Sequence, residues 1–384
     1  MPTPDPVSNA RVDSLLGADR PPIEAVVCGL SDLNSLRAAW SKAEAVPVIV
    51  PSTGDIASTG WAGFDIHTLL RSEQAAGRFT AHRFTLAPGT GIAPHYHADA
   101  HTYIVLTGGE AELQIGRLVE NVGPYTLGYA PPLTRHGFRN RSNRPSDLIL
   151  VHAPAGADLA FKAAAEHWRE TGDAGEKVYQ EILGRFGFNF DDVVLANDAL
   201  TNQLLPPFEF EFSGEGDLDR VREMFERRPG IPRLVTITTE QMSDKPTGTT
   251  YRNEVIRGDD TAGHGMINFL AGGPGMNAPP HYQPTEDEFF FILDGSLQMT
   301  CAGATIDLEP GAMVFCPRNC THGFVNVNES TDSRFFTLNA PAGHERAMEA
   351  VRKLLKNGGK PEEIDRLSQA GGFIFKRLPK NGKS

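Results

Sequence analysis

The chain has 384 residues, 40% of them hydrophobic and 22% charged, a composition ordinary for packed soluble domains that excludes a disordered or fibrous class. At roughly 150 residues per domain, this length predicts two or three domains. Lys and Arg number 36 against 48 Asp and Glu, a formal net charge of −12, so a polyanion meets net repulsion and nucleic acid is not an expected partner.

Residues 1–20 are rich in Pro, Asp and Ser without apolar periodicity, which predicts a flexible tail. The opening MPTPDPVSNARVDSLL carries neither the basic nor the apolar region of a secretion signal, and no apolar run approaches the roughly 18 residues that span a bilayer. With only Cys28, Cys301, Cys316 and Cys320 as cysteines, the expected location is the reducing cytoplasm, with no membrane partner. Within a first domain read as 21–156, short apolar stretches such as FTAHRFTLA, TYIVLTG, AELQIG and DLILVHAP are bounded by Gly, Pro or Asn, the pattern of antiparallel strands and turns. From 157 to 232 the pattern becomes helical: ADLAFKAAAEHWRE and GEKVYQEILGRFG place apolar residues three and four apart. A second β region spans 233–341, and the segment 342–384, containing HERAMEAVRKLLKNGGKPEEIDRLSQAGG, predicts two more amphipathic helices.

This β, α, β, α order prompts a search for an internal repeat. Gly89-x4-Pro94-His95-Tyr96-His97 aligns with Gly275-x4-Pro280-His281-Tyr282-Gln283, and Pro131-x4-His136-Gly137-Phe138-x-Asn140 aligns with Pro317-x4-His322-Gly323-Phe324-x-Asn326; 275 − 89 and 322 − 136 both equal 186. Ala153-Pro154-Ala155-Gly156 recurs as Ala340-Pro341-Ala342-Gly343. The chain therefore reads as a tandem duplication of one β domain, each copy followed by helices.

In the first copy the chemistry-bearing pattern is His95-x-His97-x3-His101, with His136 in a later strand. Alternate residues of a strand share a face, so His95 and His97 point to one interior. His101 is expected to rejoin them after a turn, and His136 to close the cage from across the barrel. Imidazoles converging in this way suit a divalent transition metal, Fe(II) first, with Ni, Mn, Cu and Zn also accepted. In the second copy Phe290 is expected on the side of Glu288, and Phe289 and Phe291 outward between barrels or sheets. Cys316 and Cys320 read as ordinary buried or loop thiols. His82 and His152 fall outside the motif positions; only His82 is considered as a support for the ligands.

These residues resemble the cupin superfamily, whose first motif reads G-x5-H-x-H-x3,4-E-x6-G and whose second ends P-x-G-x2-H-x3-N. Gly89, His95, His97, Gly108, Pro131, His136 and Asn140 match in the first copy, with His101 in place of the Glu. Gly275, His281, Glu288, Gly295, Gly311, Pro317, His322 and Asn326 match in the second, with Gln283 in place of the second His. The resemblance covers both β regions and implies a mainly β bicupin: two tandem jelly-roll domains with linking and C-terminal helices. It implies a metal held by His95, His97, His101 and His136, and a second site of His281, Gln283, Glu288 and His322. Glu288 is a candidate general base if burial raises its pKa. Quercetin 2,3-dioxygenases and gentisate-type ring-cleaving enzymes are bicupins with histidine metal sites, so the expected activity is a metal-dependent dioxygenase acting with O2 on an aromatic or enolic small molecule. A Lewis-acid isomerase, lyase or cyclase is the first rival, and a non-catalytic storage or binding bicupin the second. The helices between and after the barrels are suited to pack across a homodimer.

Overall fold

The computed structural model describes residues 27–51, 58–206, 208–238 and 250–376; the tail expected at 1–20 lies outside them. Alternating side chains build the strands: Ala111–Ile115 and Leu297–Cys301 each alternate buried and half-buried positions. The chain forms two tandem barrels, each from two antiparallel sheets. In the first, a long sheet with the central order Thr126–Ala130, His101–Gly108, Ser146–Ala153, Thr80–Leu86 faces a short one of Gly91–His95, His136–Arg139, Ala111–Ile115 and Leu118–Val122. The second repeats this plan: Met313–Cys316, Asp287–Asp294, Ser333–Ala340 and Met266–Gly272 face a sheet built around Leu297–Cys301, His322–Val325 and Asn277–Tyr282. The expected mainly β, two-jelly-roll architecture is the observed one.

The barrels exchange strands. Val48–Val50, which precedes the first barrel in sequence, pairs with Met313–Cys316 of the second, and Arg233–Thr236, which precedes the second, pairs with Thr126–Ala130 of the first. Both pairings cross the expected boundaries of 21–156 and 233–341.

The four helices expected from periodicity are present as Ala157–Thr171, Glu176–Gly184, His344–Lys356 and Pro361–Ala370. Two others carry weaker signals. Leu30–Trp40 buries only Leu33 and Trp40, and Asp217–Glu226 lies in the segment read as linker. They are counterparts: Arg37 Nε donates to the Ala155 carbonyl and Arg222 Nε to the Ala342 carbonyl, at 2.7 and 3.0 Å. Gly156 and Gly343 both have φ of 132°, and a Cβ on either would press against Leu33 or Leu218 of these helices, so each helix needs glycine beneath it. The duplicated unit thus includes a leading helix as well as a barrel.

Parity along the central strands separates barrel interior from the seam between barrels. Ile104 and Leu106 belong to the first interior, while Tyr103 and Val105 pack in the inter-barrel core. Phe290 and Ile292 face the second interior, while Phe289 and Phe291 join that same inter-barrel core, as alternation predicted.

Candidate metal centres

In the first barrel His95 and His136 are directly opposed across the short sheet, and a metal-ligating nitrogen of each, with one of His97, lies within 4.8 Å of the others. The orientation of each ring is fixed from behind. Nδ1 of His95, His97 and His136 meets the carbonyls of Ala93, Gly187 and Thr134, each at 2.9 Å. That contact requires the Nδ1–H tautomer, which turns the Nε2 lone pair inward, the arrangement metal-ligating histidines commonly show. All three Nε2 atoms are buried without a hydrogen-bond partner. Unpartnered buried nitrogens are costly, and a cation that accepts three of them removes that cost. Burial holds His95 and His97 well below the ordinary imidazole pKa and His136 at about 4, so all three are neutral and competent as ligands. These residues fit a divalent transition metal.

His101 does not join them. It shares the parity of Tyr103 and Val105, so its side chain enters the seam between barrels. There its Nδ1 meets the Tyr129 hydroxyl at 2.9 Å and its ring stacks on His264. The expectation of a four-histidine cage including His101 is therefore corrected: the motif tolerates three or four residues before its acidic position, and a one-residue slip on a strand moves a side chain to the opposite face. The repeat interval resolves the slip, because 288 − 186 is 102; Thr102, not His101, is the counterpart of Glu288.

The second barrel gathers His281, Glu288 and His322, again with ligand atoms within 4.8 Å of one another. Nδ1 of His281 and His322 meets the carbonyls of Pro279 and Cys320 at 2.9 and 3.0 Å. Glu288 Oε2 lies 2.9 Å from His322 Nε2 and accepts a 2.9 Å bond from the Gln283 amide. Burial alone would raise this carboxyl. The hydrogen bond and charge of His322, the charge of His281 and the Gln283 amide outweigh it and hold Glu288 at about 2. Glu288 thus lacks the raised pKa that a general base needs, a correction whose cause is its pairing with His322. Gln283 acts on the carboxylate through its NH2 group. In this arrangement it positions Glu288.

In each barrel an aromatic ring that follows a pair of helices packs on the first histidine of the cluster. Phe188 stacks on His95 with centroids 5.0 Å apart and meets His97 edge-on at 4.5 Å; Phe373 stacks on His281 at 5.0 Å. Neither was singled out in the sequence, though both follow helices in corresponding places.

Cys316 and Cys320, read as ordinary thiols, lie with Cys301 in one buried group, Cys301 Sγ being 3.5 Å from each of the others. His152 was also passed over; it is buried, and neither ring nitrogen has a partner. No helix among the described residues is long and apolar enough to cross a membrane.

A family model described as a cupin domain matches twice, at residues 82–152 and 271–339. Quercetin 2,3-dioxygenase of Bacillus subtilis (strain 168) is 25% identical over 271 residues, covering 65% of this chain and 72% of that protein. Among solved structures, an oxalate decarboxylase of Bacillus subtilis is 13% identical and covers 98% of this chain and 97% of that chain at a TM-score of 0.47. One from Lactobacillus farciminis is 12% identical and covers 83% of this chain and 96% of that chain, also at 0.47. The two matches fall one in each barrel, so the chain carries two cupin domains in tandem, each enclosing a cluster of side chains able to hold a metal.

Proposed function

We propose that the chain is a metal-dependent dioxygenase acting on a small aromatic or enolic compound, with the reaction in the first barrel. The observation that carries this reading is the convergence of three neutral imidazoles whose Nε2 atoms are buried and unpartnered. The similarity to a quercetin 2,3-dioxygenase supports the substrate class. A divalent transition metal, Fe(II) foremost, would be held by His95, His97 and His136, and when bound it would polarise a substrate oxygen and give access to O2 chemistry.

The chain's own residues do the rest. Carbonyls of Ala93, Gly187 and Thr134 keep the three rings in one tautomer, and burial keeps them uncharged, so no proton competes for Nε2 near neutral pH. Phe188 covers His95 and His97 and shields the site from water. Oγ1 of Thr102, at the position that Glu288 holds in the second barrel, is buried and unpartnered, which leaves a hydroxyl donor for an oxygen of the substrate.

The test is oxygen uptake by protein loaded separately with each metal and given flavonols, gentisate and β-diketones. Uptake in step with loss of an enolic substrate is expected. Turnover under anaerobic conditions, or full activity with redox-inert Zn, would replace this reading with Lewis-acid catalysis.

A further inference from the structure

The two barrels differ at one interior position. Where the second presents Glu288, the first presents Thr102, which is fully buried and whose hydroxyl has no partner. The first site therefore lacks the carboxylate of the second. The neighbouring strand offers a replacement. His152 is directly opposite Thr102 in the ladder, just as Asn339 is opposite Glu288. Directly opposed residues have Cβ atoms about 4.5–5.5 Å apart, so the room that a short threonine leaves is open to the histidine beside it.

The surroundings of His152 point the same way. Its ring meets His97 edge-on with centroids 5.3 Å apart, the same spacing as between His97 and His136. Both its nitrogens are buried and unpartnered, a cost a metal bond would remove. His82 is equally buried, but its ring lies edge-on to Phe161 with centroids 4.9 Å apart, whereas His152 is 6.3 Å from Phe161 and 5.8 Å from Phe188 and closer to His97 than to either.

We propose that His152 is the fourth protein ligand of the metal held by His95, His97 and His136, an imidazole standing in for the missing carboxylate. The proposal rests on the reading that the first barrel binds metal. His152 lies outside the group of ligand atoms within 4.8 Å of one another, so the fourth bond requires its ring to turn toward them. Four neutral ligands leave both positive charges of a divalent ion uncompensated, whereas Glu288 cancels one in the second barrel. The first site is thereby suited to an anionic oxygen donor, an enolate or carboxylate, and the second is not.

The experiment is X-ray absorption on the full chain loaded with Zn(II), in a His281→Ala background that silences the second barrel, together with Zn affinity by chelator competition. Four coordinated imidazoles are expected. His152→Asn, which installs the residue of the other barrel, should leave three and weaken Zn binding by about tenfold or more. Adding Thr102→Glu to it should restore affinity with an oxygen ligand in place of the nitrogen. Three imidazoles in the parent protein would overturn the assignment without reference to any variant, as would unchanged affinity in His152→Asn. Failure of the metal reading itself has a different signature: no Zn retained, with or without His136→Ala.

Discussion

His101 lies flat on His264, ring centroids 3.6 Å apart and planes 13° from parallel, at the seam where the two barrels meet. Each ring is also held by a tyrosine: His101 Nδ1 by the Tyr129 hydroxyl at 2.9 Å and His264 Nδ1 by the Tyr103 hydroxyl at 2.8 Å. The repeat interval of 186 carries His101 to Asp287 and His264 to Arg78, the latter being 264 − 186. Those two residues form a bidentate ion pair at 2.7 and 2.8 Å, with Asp287 fully buried. One seam thus appears twice, as a stacked imidazole pair and as a charge pair.

That equivalence predicts a double-mutant cycle. His101→Asp and His264→Arg should each destabilise the protein by about 1–3 kcal/mol, since each alone buries an unmatched charge or loses a hydrogen bond. Together they recreate the Arg78–Asp287 pair and should recover part of that loss. Chemical denaturation of the four proteins measures the coupling; strictly additive losses would mean the two seams are not interchangeable.

The depressed imidazoles set an acid limit on stability. Burial holds His82 at about 3 and His136 at about 4 in the folded chain, against an ordinary value of 6.5. Below pH 6.5 the unfolded chain therefore binds protons that the folded chain refuses. Stability is fully present above 6.5 and falls with pH until about 4 for His136 and about 3 for His82, at about 1.4 kcal/mol per pH unit for each histidine. Denaturation of metal-free protein between pH 7.5 and 4.5 should show this slope, and His82→Phe should reduce it. A flat profile would contradict the burial assigned to these rings.

Glu288 and His322 depend on each other. Burial would lower the His322 pKa, but the hydrogen bond and charge of Glu288 raise it. Glu288→Gln should lower the His322 pKa, remove the only carboxylate from the His281, Glu288, His322 cluster and abolish metal binding there, leaving the first site loaded. Metal content falling from two ions to one per chain is the expected result.

Much of this was legible in the sequence because the duplication printed it twice. His95, His97 and His136 stand out by motif spacing, and His281, Glu288 and His322 by the same motif one interval later. The alternation that sends Phe290 inward and Phe289 and Phe291 to the seam needs only a strand. His101 was misread because a motif of variable spacing does not fix strand parity, and one residue separates ligand from seam. His152 carries no local signal at all: its place beside Thr102 exists only in the register of two strands about fifty residues apart in the chain. The strand exchange is equally invisible, since Val48–Val50 and Arg233–Thr236 are short runs whose partners lie across the domain boundary.

The reaction proposed for the first barrel depends on a metal held by its histidines. Oxygen uptake with an enolic substrate, measured side by side on His97→Ala and His281→Ala proteins of known metal content, tests it most directly. The expected result is loss of uptake in His97→Ala, with His281→Ala retaining it. Uptake by His97→Ala at the rate of the parent chain would contradict the account.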